Sequence, residues 1–351
     1  MTDFSQIKDF DESRKAAGQQ ARVEDTRSAA EQFRKSMLAG PKVRYYQSFD
    51  LVRVPYPTRY GLRNAFSREK WVEYLHLQNR MFIVQFDTAD GVKTLLVSPS
   101  DHERNVETPF FRRLADSSPK ALESVIVKRQ STMPELLAQA GLKPEDIDYI
   151  TYDHLHTQDV RRWLGSDEND PVLPNAKLLV HWREWESTKD LNPYQADWYC
   201  PNGIAGIPEN KVHCFDGSIM LGDGCALVHT PGHTEGNHSI VAHTDEGIWV
   251  TSENGVSVDA YAPELSTAAG VAEYAKMIGT EVIINGNTLE NSIDQYISMV
   301  QEKTIAGPSQ RDPRFPNIFP SSEMTPFWLF PGTKPAFYVG EAKHGEVQLN
   351  T

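Results

Sequence analysis

The chain has 351 residues, enough to bury the core of one large α/β domain with additions, and its 48 acidic against 35 basic side chains leave a net charge of −13. With no long Lys/Arg block, this surface repels polyphosphate and anionic lipid, so neither nucleic acid nor a membrane is expected as a partner. Three cysteines (Cys200, Cys214, Cys225) form neither a CxxC pair nor a disulfide framework, the N-terminus has no apolar leader, and no apolar run approaches the ~18 residues of a membrane span, so reduced thiols and a cytoplasmic location are expected.

The polar, alanine-containing stretch "SRKAAGQQARVEDTRSAAEQFRKSMLAG" predicts a helix ending at Gly40, before Pro41. Its apolar face is thin, which makes residues 1–40 an N-terminal helical arm, packed on the domain or on a second subunit. Aromatic and β-branched residues then give strand and extended chain around Pro55 and Pro57. "MFIVQFDTADGVKTLLVSP" predicts a hairpin turning at Asp90-Gly91. In "TMPELLAQAGLKPEDIDYITYDHLH", Pro134 opens a helix, Gly141 ends it, and a strand over Ile147 to Thr151 leads into a loop with two histidines. A further strand is expected at "LLV" (178–180), followed by short strands separated at Asp216-Gly217, Asp223-Gly224 and Glu246-Gly247. "STAAGVAEYAKMIGTEVIINGN" reads as helix, strand and loop. From about Gly307 the chain is rich in Pro and aromatics, too apolar for a free linker, and is expected to wrap over the domain or a partner subunit. The organisation is thus an arm (1–40), a domain (41–306) and a C-terminal extension (307–351).

His154 and His156 stand at alternate positions, so at a strand end both point to one side and can reach one cation. An isolated H-x-H is more often a pair of loop histidines, and further ligands must come from elsewhere. "HTPGHTEGNH" offers His229, His233 and His238, and the tight turn at Pro231-Gly232 presents His233 from a loop. Three neutral imidazoles from two strand-end loops make a Zn²⁺ site that keeps a position open for water. The two clusters lie 77 residues apart, and only a fold that gathers strand ends can combine them.

The stretches "GLKPEDIDYITYDHLHTQD", "VHTPGHTEGNHSIV" and "GIWVTSENGV" resemble the metallo-β-lactamase-fold hydrolases, in their lactonase-like and glyoxalase-like branch, over roughly residues 80–300. The resemblance implies an α+β fold, the αββα four-layer sandwich, with a metal site along one sheet edge. It places His154, His156 and His233 on the three histidines of the first metal site. The second site departs from the family pattern: Gln158 and Asp159 stand where an Asp and a His follow the pair, Glu253 replaces the bridging acid, and Asn287 replaces the last histidine. Neutral carbonyl ligands bind divalent metals weakly. One zinc is therefore expected, while Asp159 and Glu253 are either ligands of a second divalent metal or groups that orient and deprotonate the attacking water. His229 and His238 are expected to support the third ligand or pack, and His181 and His213 to be structural. "DWYC" (197–200) and "TPFWLFP" (325–331) either line a pocket or pack in a core or interface.

These features lead to a metal-dependent hydrolase that uses a zinc-bound hydroxide on a small ester, lactone or similarly activated aryl ether or amide, within a homo- or hetero-oligomer. The alternative is a non-catalytic or structural subunit of a hetero-oligomer beside a catalytic paralogue.

Overall fold

The computed structural model describes residues 4–63, 74–117, 127–288 and 291–349. In chain order its strands are β1 (Ser5–Ile7), β2 (Tyr45–Pro57), β3 (Tyr74–Thr88), β4 (Gly91–Val97), β5 (Lys128–Arg129), β6 (Tyr149–Thr151) and β7 (Lys177–His181). There follow β8 (Val212–Phe215), β9 (Ser218–Gly222), β10 (Cys225–His229), β11 (His238–Thr244), β12 (Gly247–Thr251), β13 (Ser322–Thr325) and β14 (Lys343–Gly345). The helices that matter below are α1 (Gln19–Ala39), α2 (Met133–Gln139), α3 (Trp182–Lys189), α4 (Val271–Ile278) and α5 (Ser292–Ala306). The chain divides into two units, with the divisions at Val54/Pro55 and Gln78/Asn79 falling inside β2 and β3.

The first unit comprises Met1–Val43, Pro55–Gln78 and Gly217–Gly340. Its sheet has the order β1-β9-β10-β11-β12, each neighbouring pair antiparallel. The expected Asp-Gly and Glu-Gly turns are its hairpin corners: Gly224 and Gly247 adopt φ of 68° and 90°, a region that costs a side-chain-bearing residue but not glycine. Helix α1 buries Val23, Thr26, Ala30, Phe33 and Met37, spaced three or four apart on one face. Val23, Ala30, Phe33 and Met37 join Val228, Val241 and Val250 of the sheet and Ile297 and Val300 of α5 in one apolar core. The helix ends as its sequence dictates, with the Gly40 N–H turned back to the carbonyls of Ser36 and Met37.

The second unit comprises Arg44–Val54, Asn79–Asp216 and Glu341–Thr351. Its sheet runs β14-β2-β3-β4-β6-β7-β8. The hairpin expected at Asp90-Gly91 is present as β3 and β4, in antiparallel register from Phe82↔Val97 to Thr88↔Gly91. From β4 through β6 and β7 to β8 the strands are parallel, so their C-terminal ends emerge together. Helix α2 is anchored by Glu135, whose carboxylate accepts the Thr132 N–H at 2.8 Å, and it leads through Gly141 (φ 77°) toward β6. Leu96, Ile150, Leu178 and Val180 of these strands pack with Leu136, Leu137 and Trp163 in a second core.

One expected strand is absent. "EVIIN" (281–285) follows α4 as an irregular segment, although Val282 and Ile283 are buried in the first core as their apolar side chains require. Its backbone bonds to loops instead of a neighbouring strand: the Ile283 N–H donates to the Ala260 carbonyl, and the Ile284 carbonyl accepts from Arg63. A buried β-branched run reads as strand from sequence alone, whereas the partner that completes its hydrogen bonds is set by tertiary packing. Among the described residues no helix is long and apolar enough to cross a membrane.

The packing of α1 makes the N-terminal segment a test of the first core. Phe33 is 4% exposed and meets the ring of Phe10 edge-on, with centroids 5.5 Å apart. Phe33→Ala is expected to lower unfolding stability by about 3–5 kcal/mol, read from the urea midpoint; a loss under about 1 kcal/mol contradicts a core role for α1.

Candidate metal centre

Strand β6 ends at Thr151, and the chain leaves it through Tyr152 and Asp153 into the histidine pair. Both imidazoles are buried, His154 at 4% and His156 at 8% exposure, with ring centroids 4.7 Å apart and planes almost perpendicular. This is not the environment of surface histidines. The Asp153 carboxylate lies 3.2 Å from His154 Nδ1, and His156 Nε2 hydrogen-bonds Gln195 Oε1 at 3.1 Å, which orients the His156 ring. Tyr199 lies edge-on against His156 with centroids 4.7 Å apart. Burial, together with the neighbouring His154, pushes the His156 pKa well below its ordinary value, so the ring is held neutral, the form that can donate a lone pair to a metal.

The loop is fixed from below by α3, which starts directly after β7. Glu184, fully buried, accepts the Leu155 N–H at 2.8 Å and the Tyr199 hydroxyl at 2.9 Å on the same oxygen, Oε1. Leu155 is the residue between the two histidines, so one carboxylate ties down both the H-x-H backbone and the ring packed on His156. Thr157, next in the chain, takes a left-handed φ of 63°, unusual for a β-branched residue, and its N–H donates to the Trp198 carbonyl at 2.7 Å.

In the first unit, His233 (4% exposed) sits on the loop between β10 and β11. Its N–H donates to Asn254 Oδ1 at 3.1 Å, and its Nδ1 lies 3.5 Å from Thr288 Oγ1. Gly232 before it has φ 149°, and a Cβ there would fall 2.2 Å from the Gln295 Cα, so the Pro-Gly turn is required by close approach to α5 as well as by its dihedral angle. His229 Nε2 lies 3.1 Å from the Glu235 carbonyl and His238 is fully buried, so both pack within this loop and strand pair. Glu253 follows β12, and its Oε1 accepts from the Ser321 hydroxyl at 2.9 Å. Asn287 donates through Nδ2 to the Tyr56 hydroxyl at 3.3 Å.

Asp159 has a different setting. It is fully buried in the second unit and both carboxylate oxygens face Arg161: Oδ1 accepts from its backbone N–H at 3.0 Å and from Nε at 3.1 Å, while Oδ2 accepts from Nη2 at 2.5 Å. Arg104 adds a second cation at 3.9 Å. Gln158 Oε1 accepts from Asn105 Nδ2 at 3.3 Å. His181 caps α3, its Nδ1 accepting the Arg183 N–H, in keeping with a structural role. The "DWYC" segment packs as well as faces the pair: Trp198 stacks on Phe110 at 4.4 Å while Tyr199 covers His156. Within "TPFWLFP", Phe327 is buried against His76 and Trp328 is exposed. Sequence reasoning missed Asp153, Glu184 and Gln195 because a lone carboxylate or amide gives no sign in one sequence of the loop it supports; for Asp153, adjacency to the H-x-H was an available signal.

No protein-family profile matches the chain. Over 111 residues it is 29% identical to an N-acyl homoserine lactonase of Bacillus sp. and 25% identical to one of Bacillus cereus, in each case covering 32% of this chain and 39% of the relative. The chain therefore matches well under half the length of these curated relatives. Among solved structures, AidC, described as a dizinc quorum-quenching lactonase, superposes with a TM-score of 0.51 at 12% identity, covering 89% of this chain and 99% of that one. A structure described as a probable metal-dependent hydrolase from Staphylococcus aureus gives a TM-score of 0.50 at 16% identity, covering 72% and 83%. At these identities the structural likeness establishes the fold. Two sheets with their helices, the H-x-H motif and these relatives together make this chain a metallo-β-lactamase-type αββα protein related to the N-acyl homoserine lactonases.

Proposed function

We propose that the chain is a metal-dependent hydrolase of small esters or lactones, in which His154, His156 and His233 hold one zinc ion. The observation that carries this reading is the buried H-x-H pair at the C-terminal end of parallel strands, where α/β folds assemble ligand sites. The donor set fits the ion: neutral imidazole nitrogens with a carboxylate nearby suit zinc. Zinc bound by three imidazoles lowers the pKa of a coordinated water and polarises the carbonyl under attack.

The protein's own groups then divide the remaining work. Glu253, held by Ser321, is the carboxylate assigned to orient the water and take its proton. Gln195 fixes the ring orientation of His156, and the Asp153 carboxylate lies beside His154. Asp159 is a candidate for proton transfer or for a second metal, and we assign it instead to securing the loop after the H-x-H, because both of its oxygens are engaged by Arg161. Without strong ligands at Gln158 and Asn287, a second divalent ion is bound weakly, if supplied in excess. The lactone assignment draws on the N-acyl homoserine lactonase relatives, and the acidic surface is consistent with a neutral substrate in preference to a polyanion.

Protein purified without added metal is expected to hold about one zinc per chain. His233→Ala is expected to lose most of it while keeping the wild-type circular dichroism spectrum. Hydrolysis of a panel of lactones and aryl esters should stop on chelation and return with zinc. Full zinc retention by the folded variant removes His233 from the ligand set, and metal-loaded protein inactive on the whole panel removes the hydrolase reading.

Asp159 allows a separate check. Because Arg161 is partly exposed, breaking the pair with Asp159→Asn is expected to cost about 1–3 kcal/mol of stability with zinc content unchanged. Loss of zinc at unchanged stability would make Asp159 a ligand.

A further inference from the structure

Two glutamates are fully buried on helices beside the two histidine loops, and neither was marked by the sequence. Glu184 on α3 belongs to the second unit and Glu302 on α5 to the first. A carboxylate without solvent is costly unless donors surround it, and at each of these one donor belongs to a histidine loop or to a residue hydrogen-bonded to one. At Glu184 they are the Leu155 N–H and the Tyr199 hydroxyl.

At Glu302 the arrangement is more extensive. Oε1 accepts from Asn254 Nδ2 at 2.7 Å and from the Ser239 hydroxyl at 2.9 Å, and Oε2 accepts from the Tyr261 hydroxyl at 2.7 Å. Asn254 is the link to the site: its Oδ1 accepts the His233 N–H, and its Nδ2 also donates to the Thr230 carbonyl at 2.9 Å. The same face of α5 supplies two more supports. Ser298 Oγ donates to the Pro231 carbonyl at 2.6 Å, and Gln295 Nε2 donates to the Asn254 carbonyl at 2.7 Å. Residues 295, 298 and 302 are three and four apart, so one helical stripe holds both flanks of the His233 loop. Arg14, half-buried, donates to Ser298 Oγ at 2.7 Å and Gln301 Oε1 at 2.8 Å.

We propose that Glu302 and Glu184 are positioning residues, each setting the backbone of one histidine loop, Glu302 through Asn254 and Glu184 through Leu155 and Tyr199, so that the imidazoles are preorganised for metal. This rests on the reading that His154, His156 and His233 are metal ligands. Glu184 Oε1 accepts from both the Leu155 N–H and the Tyr199 hydroxyl, and a glutamine amide oxygen can accept in its place. Glu302 uses both oxygens, so glutamine must turn an NH₂ toward a donor.

The test measures zinc affinity of the full chain by chelator competition, together with the visible spectrum of the cobalt-loaded protein, which reports ligand geometry without reference to activity. Glu302→Ala and Glu184→Ala are expected to weaken zinc by about 10- to 100-fold and to shift the cobalt bands. Glu184→Gln and Glu302→Gln should each restore part of the affinity lost in the alanine variants, because an amide oxygen still accepts from the donors. Glu281→Gln, which removes a partly exposed ion pair with Arg27 of α1, should leave affinity unchanged. If the alanine variants do not fold, Ser298→Ala and Tyr199→Phe each remove one hydroxyl from the braces and are expected to weaken zinc severalfold. Folded variants with wild-type affinity and an unchanged cobalt spectrum overturn the brace proposal alone. A wild-type chain that binds neither ion overturns the metal reading, and the braces with it.

Discussion

The side-chain amide of Asn254 has both ends engaged inside the first unit, one accepting the His233 N–H and the other donating to Thr230 and to the buried Glu302. A loop that carries a ligand has few apolar contacts to hold it, so its geometry depends on how its polar backbone is satisfied. Here the requirement that no buried polar group go unpaired does the positioning. Gly232 can approach α5 because it lacks a Cβ, the Pro231 carbonyl and the His233 N–H then find partners on or beside that helix, and the imidazole is left on a backbone fixed on both sides.

The second unit solves the same problem with different parts. Its histidines leave a short parallel strand, with Asp153 beside His154 and Gln195 orienting His156, while Glu184 holds the backbone between them. The cost of burying imidazole is lowest for the neutral form, which is also the coordinating form, so the burial that makes these histidines poor surface residues makes them good ligands. A purely structural role for the pair explains the packing on Tyr199 but not why two imidazoles are gathered where charge on His156 is disfavoured.

The acidic residues divide by their partners in a way that composition cannot reveal. Asp159 faces arginine on both oxygens, Glu302 and Glu184 face hydroxyls and amides, and Glu253 accepts from the Ser321 hydroxyl. A carboxylate whose oxygens are engaged by a guanidinium is held in an ion pair, while one surrounded by neutral donors acts as a fixed acceptor. Identical side chains thereby acquire different roles from their neighbours.

What the sequence determined by itself is what local chemistry can dictate. The Asp90-Gly91 hairpin, the short strands parted by Asp-Gly and Glu-Gly, the helix stopped at Gly40, and the two histidine motifs with their Pro-Gly turn are all set by residues within a few positions of one another, where steric limits on φ and the period of apolar side chains act directly. The resemblance carried by those motifs extended this to the fold. The tertiary structure decided which partner each polar group would find. It made "EVIIN" a loop by offering its backbone the Ala260 carbonyl and the Arg63 N–H in place of a strand, it committed Asp159 to Arg161, and it set Glu302 beneath Asn254, 48 residues away in the chain. Hydrogen bonds and ion pairs act over about 3 Å and are indifferent to separation along the sequence, so the residues that hold the site could be named only after the chain had brought them within that distance.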